Sequence, residues 1–147
     1  MPLIATTQNN RARWEHFPHG ADVGVRGIGA SRDEAFVQAA LALTAAVCEP
    51  ERVKAVRKVP VSCEAADEQL LLAAWLNTVI EEMSARKMLF SRFSLQSRGL
   101  RLSAVLEGEE VDRLRHAPAV EPKGATLTAL RVARENGLWT AQCVVDV

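Results

Sequence analysis

Three cysteines are too few, and odd in number, to frame a chain of 147 residues with disulfides. Cys48, Cys63 and Cys143 lie far apart in apolar contexts, which is the usage of buried free thiols in a reducing compartment rather than of a zinc site. Neither sign of charge dominates, because Lys+Arg and Asp+Glu number 18 each. A protein that wraps nucleic acid needs a basic excess, so any RNA contact is expected to be local or made through a partner. No apolar run approaches the ~18 residues of a membrane span, and no basic segment with an apolar core opens the chain. The expectation is a cytoplasmic protein with no membrane partner. H-x-x-x-H and C-x-x-C spacings are missing, as are a spaced carboxylate pair and an evident nucleophile, which weighs against a metal-dependent hydrolase. Internal repeats and low-complexity segments are absent too.

What is present is the balance of a globular protein, 48% apolar and 24% charged, at a length that buries one real core without staples. Residues 1–12 are polar and patternless and are expected to be flexible; residues 13–147 read as a single domain. Trp14 to Phe17 reads as a first strand, and Val23, Val25 and Ile28, with glycines between them, as a second. Ser31-Arg32-Asp33-Glu34 is a capping box that opens a helix with Phe36, Ala39, Leu43 and Val47 at helical spacing and Pro50 as its stop. Val53 to Cys63 reads as a strand whose basic residues mark a solvated edge. Asp67 caps a second helix, whose stripe of Leu71, Leu72, Trp75, Leu76, Val79, Ile80 and Met83 is core. Glu81 and Glu82 are adjacent and share no face, so they are not an acid/base pair. A strand through Phe90, Phe93 and Leu95 turns at Ser97-Arg98-Gly99 into the strict alternation of Leu100, Leu102, Ala104 and Leu106. A charged loop covers Gly108 to Pro122, a strand Lys123 to Arg134, and Asn136-Gly137 turns into a last strand, Leu138 to Val147. The order β-β-α-β-α-β-β-β-β predicts an α+β fold, two helices packed on a mainly antiparallel or mixed β-sheet.

Two places could carry chemistry. The stretch from His16 to Gly27 gathers two of the three histidines, Asp22 and three glycines, punctuated by Pro18 and Gly20, so His19 and Asp22 are expected on a loop. From the residues alone it is equally a hairpin turn with incidental polar groups. The other place is the end of the last strand. With Asn136-Gly137 as a two-residue turn, Glu135 faces Leu138 and Leu127 faces Asp146, which puts Lys123 about 13 Å along the sheet from Asp146. Asp146 then points away from the apolar stripe of Trp139, Ala141, Cys143 and Val145. Beside it stands the carboxylate of Val147, and two anionic groups there repel unless a cation or lysine neutralises them. A hard divalent cation held by carboxylate and backbone oxygens would do so. A solvated, frayed chain end is the simpler reading.

His19-Gly20-Ala21-Asp22-Val23-Gly24 resembles the His-Thr-Ala-Asp motif of the archease family. The likeness continues through Gly29-Ala30-Ser31…Glu34-Ala35-Phe36, Leu71-Leu72…Trp75-Leu76-Asn77, and His116 ahead of Glu121-Pro122-Lys123, to Asp146-Val147 where archeases close on Asp-Ile. Pro18 replaces a second Asp, Gly20 replaces Thr, and Gly124-Ala125-Thr126-Leu127 replaces Ala-Val-Thr-Tyr. The resemblance implies a single archease-like domain that is not an enzyme but a cofactor protein of the RtcB-type RNA ligase, which joins 3′-phosphate or 2′,3′-cyclic-phosphate ends to 5′-hydroxyl ends in tRNA splicing and RNA repair. Such a protein promotes GTP-dependent guanylylation of the ligase and its multiple turnover, and meets RNA and GTP only through that partner. By the same resemblance Asp22, Asp146 and the backbone oxygen of Val147 are metal ligands, with calcium expected and magnesium or manganese as alternatives. Lys123 is implied in partner activation, and His19 and His116 are expected in support. Two other readings stay open: a metal-dependent phosphoester hydrolase using His19, His116, Asp22 and Asp146, and an interaction module whose metal only braces the chain end.

Overall fold

The structure is a computed structural model that describes residues 12–147, so the expectation of a flexible segment over residues 1–12 lies almost wholly outside the described residues. A tight turn at Gly20-Ala21 joins β1 (Arg13–His19) to β2 (Asp22–Gly29). Helix α1 (Arg32–Val47) starts where the capping residue predicts, with the Ser31 hydroxyl accepting the Glu34 N–H at 3.1 Å. Pro50 opens a single 3-10 turn, Pro50–Arg52. That turn buries Val53, so β3 begins only at Arg57 and runs to Glu64. Asp67 caps α2 (Glu68–Arg86) through the Leu70 N–H. Then come β4 (Met88–Arg98) and β5 (Arg101–Glu110), joined by Gly99-Leu100. Leu100 is therefore a turn residue rather than a strand residue. The expected charged loop from Gly108 is partly ordered: Gly108 to Glu110 extend β5, and Asp112 caps a one-turn helix, α3 (Arg113–His116). The expected strand from Lys123 to Arg134 is two short strands, β6 (Gly124–Ala125) and β7 (Arg131–Glu135), ahead of β8 (Leu138–Asp146).

The fold is α+β, and every strand pairing among the described residues is antiparallel. The strands form two sheets where one was expected. The first has the order β1-β2-β8-β6, with β7 also on β8; the second has the order β3-β5-β4. As its basic residues predict, β3 is an edge strand. Each long helix touches strands of both sheets, so their apolar stripes form one core around Trp75, Phe36, Phe90, Leu43, Leu71 and Leu72. Polar groups inside are satisfied: the Trp75 indole N–H donates to Phe36 O at 2.9 Å, and the Thr44 hydroxyl to Phe90 O at 2.6 Å. The contact between α1 and β2 depends on Gly27. A Cβ there would lie 2.0 Å from Ala35 O and 2.3 Å from Ala39 N, so only glycine lets the helix backbone rest on the strand. Among the described residues no helix is long and apolar enough to cross a membrane.

Candidate metal and partner site at the end of the first sheet

His19 is the last residue of β1 rather than a loop residue, and it faces Asp22 across the turn. The β2–β8 ladder reaches Val23↔Val145, so its next position brings Asp22 opposite Asp146. Asp146 in turn faces Gly124 of β6. His19, Asp22, Asp146 and Gly124 thus form one row across four strands at one end of the sheet. Directly opposite side chains stand roughly 4.5–5.5 Å apart at Cβ and share a face. That face carries Phe17, whose ring lies where a Gly24 Cβ would be, within 2.5 Å. It also carries Arg26, which bonds Glu15 and Gln142 and stacks on Phe17 at 4.7 Å.

The Lys123 geometry corrects the expectation of a 13 Å separation. Glu135↔Leu138 is the register of the last hairpin, as the Asn136-Gly137 turn predicts. Over residues 126–130 the regular ladder is interrupted: the Thr126 N–H donates to Val144 O at 2.9 Å and Thr128 O accepts the Val144 N–H at 3.1 Å, so two residues pair with one, and Ala129 stands at φ 54°. When pairing resumes, Asp146 faces Gly124 instead of Leu127, a slip of three residues. Lys123 consequently reaches Asp146 directly, its N–H donating to Asp146 O at 2.7 Å. Two residues to which sequence reasoning gave no role hold this arrangement. Asn77 of α2 pairs with the Ala125 backbone as a strand would, accepting its N–H at 2.8 Å and donating to its carbonyl at 3.4 Å. Thr126 donates its hydroxyl to Val144 O at 2.8 Å. The signal available for Asn77 was a half-buried amide directly after Trp75-Leu76 of the apolar stripe.

Asp22 is half-buried, and its Oδ1 accepts the Val147 N–H at 3.3 Å. That bond orients one carboxylate and leaves its second oxygen and the exposed Asp146 carboxylate on the same row. Like charges directly opposite across a ladder are destabilising without a counter-charge. Among the described residues no three His, Cys, Asp or Glu side chains converge as a ligand cluster. The donors at hand are therefore two carboxylates plus backbone oxygens, a set suited to a hard cation rather than to zinc. The nearest thiol in the strand, Cys143, is buried, and burial pushes it up to about 12.

His116 lies in a different environment. It is 1% exposed, and both ring nitrogens are engaged. The Asp112 N–H donates to Nδ1 at 2.8 Å, so Nε2 carries the hydrogen that Glu109 Oε2 accepts at 3.0 Å. Arg115 grips the same carboxylate in a fork at 2.5 and 2.9 Å, and the Lys54 N–H adds a bond at 2.7 Å. The Arg115 guanidinium holds Glu109 far below the usual carboxylate range. His116 thus secures α3 to β5, and its nitrogens are not available to a ligand. The four residues of a hydrolase reading are not brought together.

Comparison with known proteins now bears on this geometry. Residues 14–147 match the profile of the Archease protein family (MTH1598/TM1083). The chain is 34% identical to the protein archease of Pyrococcus abyssi, over 92% of this chain and 99% of that one. With the protein archease of Thermococcus gammatolerans it shares 33% identity over the same shares. The solution structure of Methanobacterium thermoautotrophicum protein 1598 superposes with a TM-score of 0.79 at 28% identity, covering 91% of this chain and 98% of that one. A crystal structure from Thermotoga maritima, described as an archease and possible chaperone, has the same fold, with a TM-score of 0.60 at 16% identity over 90% and 96% of the two chains.

Proposed function

The chain belongs to the archease family, and from that membership we propose that it is a non-enzymatic activator of an RtcB-type RNA ligase, promoting GTP-dependent guanylylation and multiple turnover in tRNA splicing and RNA repair. The observation that carries the reading is the row at the sheet end, where Asp22 meets Asp146 and Lys123 is tied to the Asp146 backbone. In this reading Asp22, Asp146 and the Val147 backbone oxygen hold a divalent cation, calcium or else magnesium or manganese. Such an ion supplies positive charge to oxygens of a phosphate or a partner carboxylate.

The residues do the rest. The Val147 N–H donates to Asp22 Oδ1 and so holds that carboxylate at the sheet end, in the row of Asp146. Asn77 and Thr126 keep β6 in the sheet, which fixes where Lys123 leaves it. The exposed Lys123 ammonium is a point charge for phosphate oxygens or a carboxylate of the ligase. Preorganised charge of this kind stabilises the charge that develops during nucleotidyl transfer in the partner's active site. The test is guanylylation of the cognate ligase with and without this protein. Wild type should raise both the guanylylated fraction and the number of turnovers. Asp22→Ala and Asp146→Ala should lose at least tenfold of that stimulation, about 1.4 kcal/mol in effect, with an unchanged circular dichroism spectrum. Full stimulation by either variant would overturn the reading.

A further inference from the structure

The outer face of the second sheet is unusually ordered in its charges. Alternation along β3, β4 and β5 turns Val59, Leu102, Ala104 and Leu106 to the core and their neighbours outward. Register then arranges the outward residues in rows. At one end Lys58, Glu107 and Arg92 stand side by side, with Lys58 Nζ 3.8 Å and Arg92 Nε 3.7 Å from the single carboxylate between them. At the other end the row is Glu64, Arg101 and Arg98. Arg101 Nε binds Glu64 at 2.9 Å, while Arg98, directly opposite Arg101, has no carboxylate partner among the described residues. Each row therefore holds two cations for one carboxylate, in a chain whose net charge is zero. Like charges directly opposite weaken a ladder, so the Arg98–Arg101 pair does not serve the fold.

The rows between are neutral. One is Pro60, Val105 and Ser94; the other is Ser62, Ser103 and Gln96. The hydroxyl and amide row and the arginine row line a cavity of about 470 Å³ at the hairpin end. The two cationic rows are six residues apart along β5, roughly 20 Å. A small anion reaches one row, whereas only an extended polyanion reaches both. Protein partners anchor through apolar and aromatic side chains in a desolvated centre, and this face offers only Pro60 and the half-buried Val105.

We infer that the outer face of the β3-β5-β4 sheet is a docking surface for the phosphodiester backbone of single-stranded RNA, each cationic row offering one surplus positive charge to a phosphate, through Arg98 at one end and through Arg92, which shares Glu107 with Lys58, at the other, with Ser62, Ser103 and Gln96 as hydrogen-bonding groups between them. Arginine forks grip phosphate oxygens in pairs. No aromatic side chain stands in these rows to stack a base, so binding is independent of sequence, modest in strength and strongly salt-dependent.

The experiment is fluorescence anisotropy of a labelled oligouridylate of about twenty nucleotides with the full chain between about 50 and 200 mM salt. Wild type should bind at low salt and weaken as salt rises. Arg92→Ser with Arg98→Ser should reduce affinity roughly tenfold at low salt and flatten the salt slope by about 1.4, two phosphates at ~0.7 each. Arg13→Ser with Arg134→Ser, which removes the same charge from the other sheet, should change neither. Equal loss in both double variants, or tighter binding of polyglutamate or of anionic lipid vesicles than of RNA, would overturn the assignment, as would no RNA binding by wild type. The inference stands apart from ligase activation: Asp22→Ala should bind the oligonucleotide like wild type even where it fails to stimulate the ligase.

Discussion

At the scale of single residues, Glu109 is among the most heavily engaged side chains of the described residues. Arg115, the Lys54 amide and His116 all donate to one carboxylate whose side chain is 11% exposed. The folded state therefore holds Glu109 ionised far below its ordinary range, chiefly through Arg115. A depressed carboxylate contributes its full stability above the unfolded value of ~4.3 and loses it as pH falls from there towards the folded value. The urea midpoint should be flat from neutral pH down to about 5 and fall below about 4.5. Glu109→Gln should lower the midpoint at pH 7 by the equivalent of about 2 kcal/mol and lose less on acidification. A variant with the wild-type profile at both ends would assign the acid response to other carboxylates. Neither Glu109 nor His116 could be placed from the chain alone. His116 drew attention as a candidate for support of the site, whereas its two nitrogens are spent on Asp112 and Glu109.

At the scale of elements, the junction of α1 on β2 is a close backbone approach between helix and strand. Sequence patterning located both elements, because a capping residue, an apolar stripe and a proline stop are local signals. The glycines of β2 mark a strand that is either pliable or closely approached by other backbone, and Gly27 under Ala35 and Ala39 is the second case. Gly27→Ala forces a Cβ against helix backbone that cannot rotate away, so the helix must lift. The expected loss is about 2–3 kcal/mol, a fall of roughly 5–10 °C in Tm by calorimetry. An unchanged Tm would mean that α1 is not seated on β2 as described. The β6–β7 segment shows the opposite case. It reads as one strand, yet Thr126 and Thr128 both pair with Val144 and the register slips by three residues, while Asn77 of α2 holds the Ala125 backbone.

For the whole molecule, the three cysteines report on the core that both sheets share. Cys48 and Cys143 are buried, Cys63 is half-buried, and all are free thiols. Burial raises all three, Cys143 to about 12. Because the thiolate is the reactive form, a disulfide reagent at pH 8 should titrate at most Cys63 in the native protein and all three in denaturant. Rapid reaction of two thiols in the native state would contradict the packing. Pairing of β2 with β8 within the first sheet joins Asp22 to Val147, 125 residues apart in sequence, into one site. The two-sheet architecture also leaves the β3-β5-β4 sheet with a polar outer face.

The amino-acid sequence by itself determined what depends on near neighbours. Both long helices and their caps at Ser31 and Asp67, the edge character of β3 and the Glu135↔Leu138 register all follow from spacings of a few residues, where sterics and hydrogen bonding are local. It also set Asp146 apart as a carboxylate at the end of the last strand, whereas Asp22, expected on a loop, is the first residue of β2. Only the tertiary structure decided the rest: two sheets rather than one, the burial of His116, and the three-residue slip that brings Lys123 to Asp146 instead of leaving it about 13 Å away. Each of these depends on a group distant in sequence, such as an amide on α2 or a carboxylate on β5. No periodicity records a contact between residues that chain connectivity does not bring together.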